Sequence, residues 1–157
     1  MPTENYLGNP LLKAAYVPVE YDEKTLKEFL ICQQDPVHFS KKYVQIVHVD
    51  QGLIPFDLYD YQEDMIDKFH HNRFVICKMP RQTGKSTTIV SYLLHYALFN
   101  EQSNIAILAN KGSTARDILQ RLKTAYEHLP KWLQQGVVVW NRGNIELENG
   151  SKVIAAS

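Results

Sequence analysis

The sequence predicts an α/β fold with parallel strands in its middle, on three observations. An apolar run at residues 73–79 leads without a gap into a loop and then a helical pattern from Lys85. A second apolar run and a second amphipathic helix follow, and Asn149-Gly150 sits between alternating segments near the end. Strand, loop, helix, strand and helix in that order imply parallel strands joined by crossovers.

The elements follow in chain order. Residues 1–20 carry Pro2, Pro10 and Pro18 among scattered apolar residues without a period, and read as an extended arm with no regular element. Over residues 22–34, Leu26, Phe29 and Leu30 recur at helical spacing. Asp35-Pro36 then supplies an N-cap and first-turn proline for a second helix, with Phe39, Tyr43 and Ile46 as its inner face. Alternation at residues 46–49 suggests a short strand closed by Gly52, and residues 53–56 read as a connection. Asp60 and Glu63 form an acidic analogue of a capping box, opening a helix with Met65, Ile66 and Phe69 inward that ends at His70-His71-Asn72.

Residues 73–79 (RFVICKM) read as a buried strand, and the helix over residues 85–99 places Ile89, Val90, Leu93, Leu94 and Ala97 against a sheet. A strand at residues 104–109 precedes a helix over 114–129, with Ile118, Leu119, Leu122 and Tyr126 inward and a stop at Pro130. The tail holds three short strands, VVVWN, NIELEN and SKVIAAS. In the second of these Glu146 and Glu148 share a face that should point to solvent.

A length of 157 residues, 45% hydrophobic and 22% charged, suits an ordinary soluble domain with one core. Lys plus Arg equals Asp plus Glu at 17 each, so net charge argues for no class of partner. Cys32 and Cys77 lie far apart in apolar stretches and read as reduced, partly buried thiols of a cytosolic protein. The start shows neither a basic leader nor an apolar signal region, and no stretch is long enough for a bilayer span, so a soluble protein with no membrane partner is expected.

The chemistry lies in Met79-Pro80-Arg81-Gln82-Thr83-Gly84-Lys85-Ser86, which fits the phosphate-loop pattern G-x-x-x-x-G-K-[ST] except that Met79 stands in for the first glycine. A strand before such a loop and a helix after it aim backbone N–H groups and the positive helix end at a polyphosphate. Gly84 permits close approach, Lys85 reaches the β- and γ-phosphates, and the Ser86 hydroxyl ligates Mg²⁺; Thr83 and Thr87 flank them. Arg81 and Gln82 are unnecessary for a plain turn, and suit contact with the γ-phosphate or its sensing. Gln62, 22 residues before Gly84, can donate to and accept from an adenine edge at once, which favours ATP over GTP. The bland alternatives are an ordinary helix start after a strand, and a solvent-facing glutamine.

The strings DPVHF, KKYVQI, GLIPFDLYDYQEDMI, RQTGKST, ILANKGSTARDIL and WNRGNIELENGS together resemble the large terminase subunits of T4-like tailed phages, from about Asp35 to the last residue. The resemblance implies a partial P-loop NTPase core of the additional-strand, RecA/helicase-like type, with a helical amino-terminal segment and a carboxy-terminal hairpin or meander. It divides the chain into an arm and helical segment, residues 1–50, and a partial ATPase domain, residues 51–157. It also accounts for Arg81-Gln82 and for Met79, because that family has a deviant phosphate loop. By position, Gln62 resembles the adenine-reading glutamine, Arg81 a catalytic γ-phosphate-sensing arginine beside Lys85, and Lys111-Gly112 a segment coupling nucleotide state to motion. The implied cofactors are ATP and Mg²⁺. The implied partners are double-stranded DNA, a portal protein and a small terminase subunit, in the host cytoplasm.

Hydrolysis in this class needs an aspartate on a second apolar strand and a neighbouring glutamate. No such run follows the loop, and Val47-His48-Val49-Asp50 is a poor substitute. In the family the Walker B pair and the nuclease domain follow the point where this sequence ends, so a fragment is expected, with a second chain able to supply the acidic strand. A helicase-like or restriction-type translocase and a non-catalytic assembly module with a vestigial nucleotide site remain as alternatives. Of the six histidines only His70 and His71 are adjacent, which reads as a frayed helix end; Arg116, Arg121 and Lys123 read as a mixed solvated face, and Trp132 and Trp140 as packing.

Overall fold

The computed structural model describes residues 4–157 and shows a mixed α/β fold. Helix α1 (Glu23–Gln34) opens on Asp22, whose carboxylate accepts from the Thr25 N–H, and α2 (Pro36–Tyr43) opens on Asp35, which accepts from the Val37 and His38 N–H groups. Phe39 is fully buried, as its spacing predicts, but Leu26 and Leu30 of α1 are about half exposed. The inner face of α1 is set instead by Phe29 and the buried Cys32.

Strand β1 (Gln45–His48) pairs antiparallel with β2 (Gly52–Pro55). The stretch expected to be a plain connection is therefore a hairpin arm, because Gly52 at φ +71° turns the chain back on itself. Helix α3 (Asp60–His71) starts one residue before the anticipated box: Tyr59 is the N-cap, and the Gln62 side chain returns to the Tyr59 N–H at 3.0 Å. Met65 and Ile66 are buried, and His70-His71 form the exposed end of the helix.

Residues 73–79 depart most from expectation, since they form no strand. Phe74 and Ile76 are 81% and 96% exposed. The apolar pattern there is strand-like, but a strand exists only by hydrogen bonding to a neighbour, and no strand among the described residues pairs with this segment.

Helix α4 (Lys85–Phe99) buries Val90, Leu94, Ala97 and Leu98, packing chiefly against α5, α3 and α2 rather than against a sheet. Strand β3 (Asn104–Leu108) leads into α5 (Gly112–Glu127), which begins two residues earlier than its apolar period suggests and buries Leu119, Leu122 and Tyr126. Strands β4 (Val137–Trp140), β5 (Asn144–Leu147) and β6 (Lys152–Ala156) form the tail meander that the sequence predicts. The sheet order is β3-β6-β5-β4, with β3 and β6 parallel and the other pairs antiparallel. Gly150 at φ +82° makes the β5–β6 turn. Trp140 packs on Tyr126 and Trp132 on Tyr43.

The amino-terminal arm is docked rather than free. A 3₁₀ turn at Tyr6–Gly8 is followed by a buried Leu12 and by Ala14, which bridges in parallel to Val137 at the edge of β4. Glu148 holds it there, accepting from the N–H groups of Tyr16 and Gly136 and from Lys13 Nζ at 3.1 Å. The expectation that both tail carboxylates face solvent fails for Glu148, because the arm covers it. Lys123 departs likewise: it is 8% exposed, donates to the Asn141 carbonyl at 3.0 Å and lies over the Trp140 ring. One apolar cluster runs from Leu12 through Phe39, Leu94 and Tyr126 to Val153. No helix among the described residues is long and apolar enough to cross a membrane.

Candidate nucleotide site

The loop at residues 79–86 is shaped by two left-handed residues, Gln82 at φ 61° and Gly84 at φ 72°. Gly84 is the N-cap of α4, and no side chain caps that end, so the first-turn N–H groups point outward without a protein acceptor. A Cβ at Gly84 would come within 2.5 Å of Gln62 Nε2, so both backbone conformation and space select glycine there. The Pro80 carbonyl accepts from Thr83 Oγ1 and from Lys85 Nζ, each at 3.0 Å. Lys85 therefore folds back across its own loop, within reach of any anion seated on it.

Two side chains from the start of α3 tie down the other side of the loop. Tyr61 donates its hydroxyl to the Thr83 carbonyl at 2.7 Å, and Gln62 Nε2 points to the same oxygen at 3.5 Å. Gln62 is 3% exposed and already engaged at both ends. The sequence singles out Gln62 but gives no reason to notice Tyr61; the only signal was its adjacency to Gln62, which puts both on the first turn of one helix. The Tyr61 ring stacks on Tyr59, centroids 5.7 Å apart and planes within 10°.

A cleft of about 380 Å³ opens beside this junction, with Ile46, His48 and Ile54 of the β1–β2 hairpin on one wall and Tyr59, Thr83 and Gly84 on the other. It is apolar on the hairpin side and polar at the loop, the combination that takes a planar heterocycle carrying an anionic tail. Gln82 and Thr87 also line it. Ser86 is half-buried in the first turn of α4, and Arg81 is exposed with no hydrogen bond or ion pair among the described residues. Thus the structure brings Gln62, Gln82, Thr83, Gly84, Lys85 and Thr87 together, with Ser86 adjoining and Arg81 at the rim. Lys111 and Gly112 lie elsewhere, at the start of α5.

The donor set suits an ATP-Mg²⁺ pair in part. Uncapped N–H groups, a lysine and a serine hydroxyl fit the polyphosphate and one metal ligand. Among the described residues no group of three or more His, Cys, Asp or Glu side chains gathers at Ser86; the one such group lies between α1 and α2.

Two comparisons bear on this chain. Its fold resembles that of the HK97 bacteriophage large terminase, known from a crystal structure, with a TM-score of 0.64 and 19% identity over 80% of this chain. The match spans 27% of that terminase's length. The family described as terminase large subunit, T4likevirus-type, N-terminal, matches residues 76–157, just over half of the chain. That stretch includes the Gly84-Lys85-Ser86 loop, helices α4 and α5 and the whole four-stranded sheet, and on it the chain belongs to the amino-terminal family of T4-like large terminase subunits.

Proposed function

We propose that this chain is the ATP-binding portion of a phage large terminase, with a P-loop NTPase core, whose parent protein drives double-stranded DNA into a procapsid. The observation that carries the reading is the uncapped start of α4 at Gly84-Lys85, set at the polar end of a heterocycle-sized cleft. In this reading the first-turn N–H groups and Lys85 hold the β- and γ-phosphates, Ser86 holds Mg²⁺, and Thr83, Thr87 and Gln82 line the phosphate path. Arg81, free at the rim, turns inward onto the γ-phosphate. Gln62 exchanges its bond to Thr83 for the adenine edge, while Tyr61 keeps the loop in place. DNA, the portal protein and the small terminase subunit are the partners of the parent in the host cytoplasm, as family membership suggests.

Among the described residues no cluster of three or more metal-ligating side chains gathers at Ser86, so this chain binds ATP without turning it over unless another segment or chain supplies an acidic pair. A steady ATPase rate from the pure chain, abolished in Lys85→Ala, would refute that division of labour. Absence of turnover together with saturable binding of Mg²⁺-ATPγS supports it. A non-catalytic module with a vestigial site is the second reading, favoured by the same lack of a metal-ligating cluster at Ser86 among the described residues. It predicts no binding at all.

A further inference from the structure

Sequence adjacency singles out His70-His71, but the fold assembles a different set of metal-ligating groups. Glu28 and Cys32 stand one turn apart on the same face of α1. His38 faces them from the first turn of α2, where Asp35 fixes its backbone N–H at 3.0 Å. The Glu28 carboxylate oxygen, the Cys32 sulfur and a His38 ring nitrogen all lie within 4.8 Å of one another. Tetrahedral zinc with bonds of roughly 2.0–2.3 Å sets its ligand atoms about 3.5 Å apart, so sub-ångström to ångström rotamer shifts close the set.

We infer that Glu28, Cys32 and His38 form a binding site for a zinc-class divalent metal ion, clamping α1 to α2. Three features of the cluster point to a cation. First, Glu28 and His38 already converge where α1 meets α2, with one Glu28 oxygen 2.7 Å from His38 Nε2, while Tyr43 Oη and Lys42 Nζ, each at 2.9 Å from that oxygen, are donors an ion would displace. Second, the Cys32 sulfur is fully buried beside that carboxylate, so an ion held there would be shielded from bulk water on its sulfur side. Third, the ligand types are one sulfur, one imidazole nitrogen and one carboxylate oxygen, the mixture that borderline-soft zinc accepts. Glu28 and His38 keep part of their surface in water, which leaves room for a water as fourth ligand.

Lys42 is the competitor. Its ammonium occupies the Glu28 oxygen that the ion would take, but its side chain is 51% exposed and can swing into solvent. Loading the site exchanges three of the ion's waters for the Cys32 sulfur, a His38 nitrogen and a Glu28 oxygen, releases the Cys32 proton to solvent and displaces Lys42, with no change of oxidation state. The site is independent of the nucleotide cleft.

The test is titration of the full chain with Co²⁺, followed by its near-ultraviolet thiolate-to-cobalt charge-transfer band, with Zn²⁺ added to displace it. One saturable ion per chain is expected, with the band lost in Cys32→Ala and retained in Cys77→Ser. Lys42→Ala, at an exposed side chain that should leave folding intact, is expected to bind Co²⁺ several-fold more tightly. Absence of the band in both the wild type and Lys42→Ala overturns the site and leaves an ion-pair hub. A band that disappears with Cys77 instead overturns it as well.

Discussion

The two ends of the strand system behave differently. In the tail, β5 and β6 are paired on both sides, Ile145 is 1% exposed, and the amino-terminal arm extends the edge at β4. At the opposite end β3 pairs on one side only, Leu108 is 71% exposed, and residues 73–79, with Phe74, Val75, Ile76, Cys77 and Met79 among them, lie unpaired in water. Both regions have strand-like composition, yet only one has neighbours. Apolar pattern selects which face a strand would bury, whereas the pairing itself is a property of what lies alongside.

That contrast can be broken by mutation. The largest difference is expected between Ile145→Ala, which empties a filled site and should cost about 2–5 kcal/mol, and Ile76→Ala, which should fall within about 0.5 kcal/mol of wild type. Urea unfolding measures both, and equal destabilisation would mean that residues 73–79 are packed in solution. Glu148→Gln should cost about 1–3 kcal/mol by weakening two bonds to the arm and one to the Gly136 N–H. Burial alone would raise the Glu148 pKa, but the Gly136 and Tyr16 N–H groups and Lys13 outweigh it and hold the carboxyl below its usual 4.5. A depressed carboxylate stabilises above its unfolded pKa and loses that contribution as the pH falls below about 4.5. Hydrogen exchange should then show the amide of Val137, bonded to the Lys13 carbonyl, losing protection on acidification before those of β6.

Smaller still is Gly84→Ala, about 1–2 kcal/mol from the left-handed backbone and the crowding at Gln62. Its effect on nucleotide binding should exceed its effect on stability, since the loop must shift to accommodate the methyl group. Calorimetric titration of the mutant with Mg²⁺-ATPγS would show this.

Much of the fold was legible in the sequence because local chemistry decides it. Asp35 caps its helix as its place before Pro36 suggests, and the Gly150 turn and the three tail strands follow from alternation and an Asn-Gly pair. What was not legible depends on distant contacts. Nothing near Glu148 announces that residues 13–16 will cover it, and the burial of Lys123 depends on Asn141 and Trp140, 17 to 18 positions away. The Gly84-Lys85-Ser86 motif was readable as a local pattern, while the Tyr61 anchor and the hairpin wall at Ile46 and Ile54 required the fold.

The most direct test is thermal unfolding of the wild type and of Lys85→Ala, each with and without Mg²⁺-ATPγS at about a hundred times its dissociation constant. A preformed site predicts roughly 2.7 kcal/mol of stabilisation, about 5–10 °C at this length, in the wild type and none in Lys85→Ala. No shift in the wild type, or an equal shift in both, would contradict the assignment of nucleotide binding to the loop at Gly84-Lys85-Ser86.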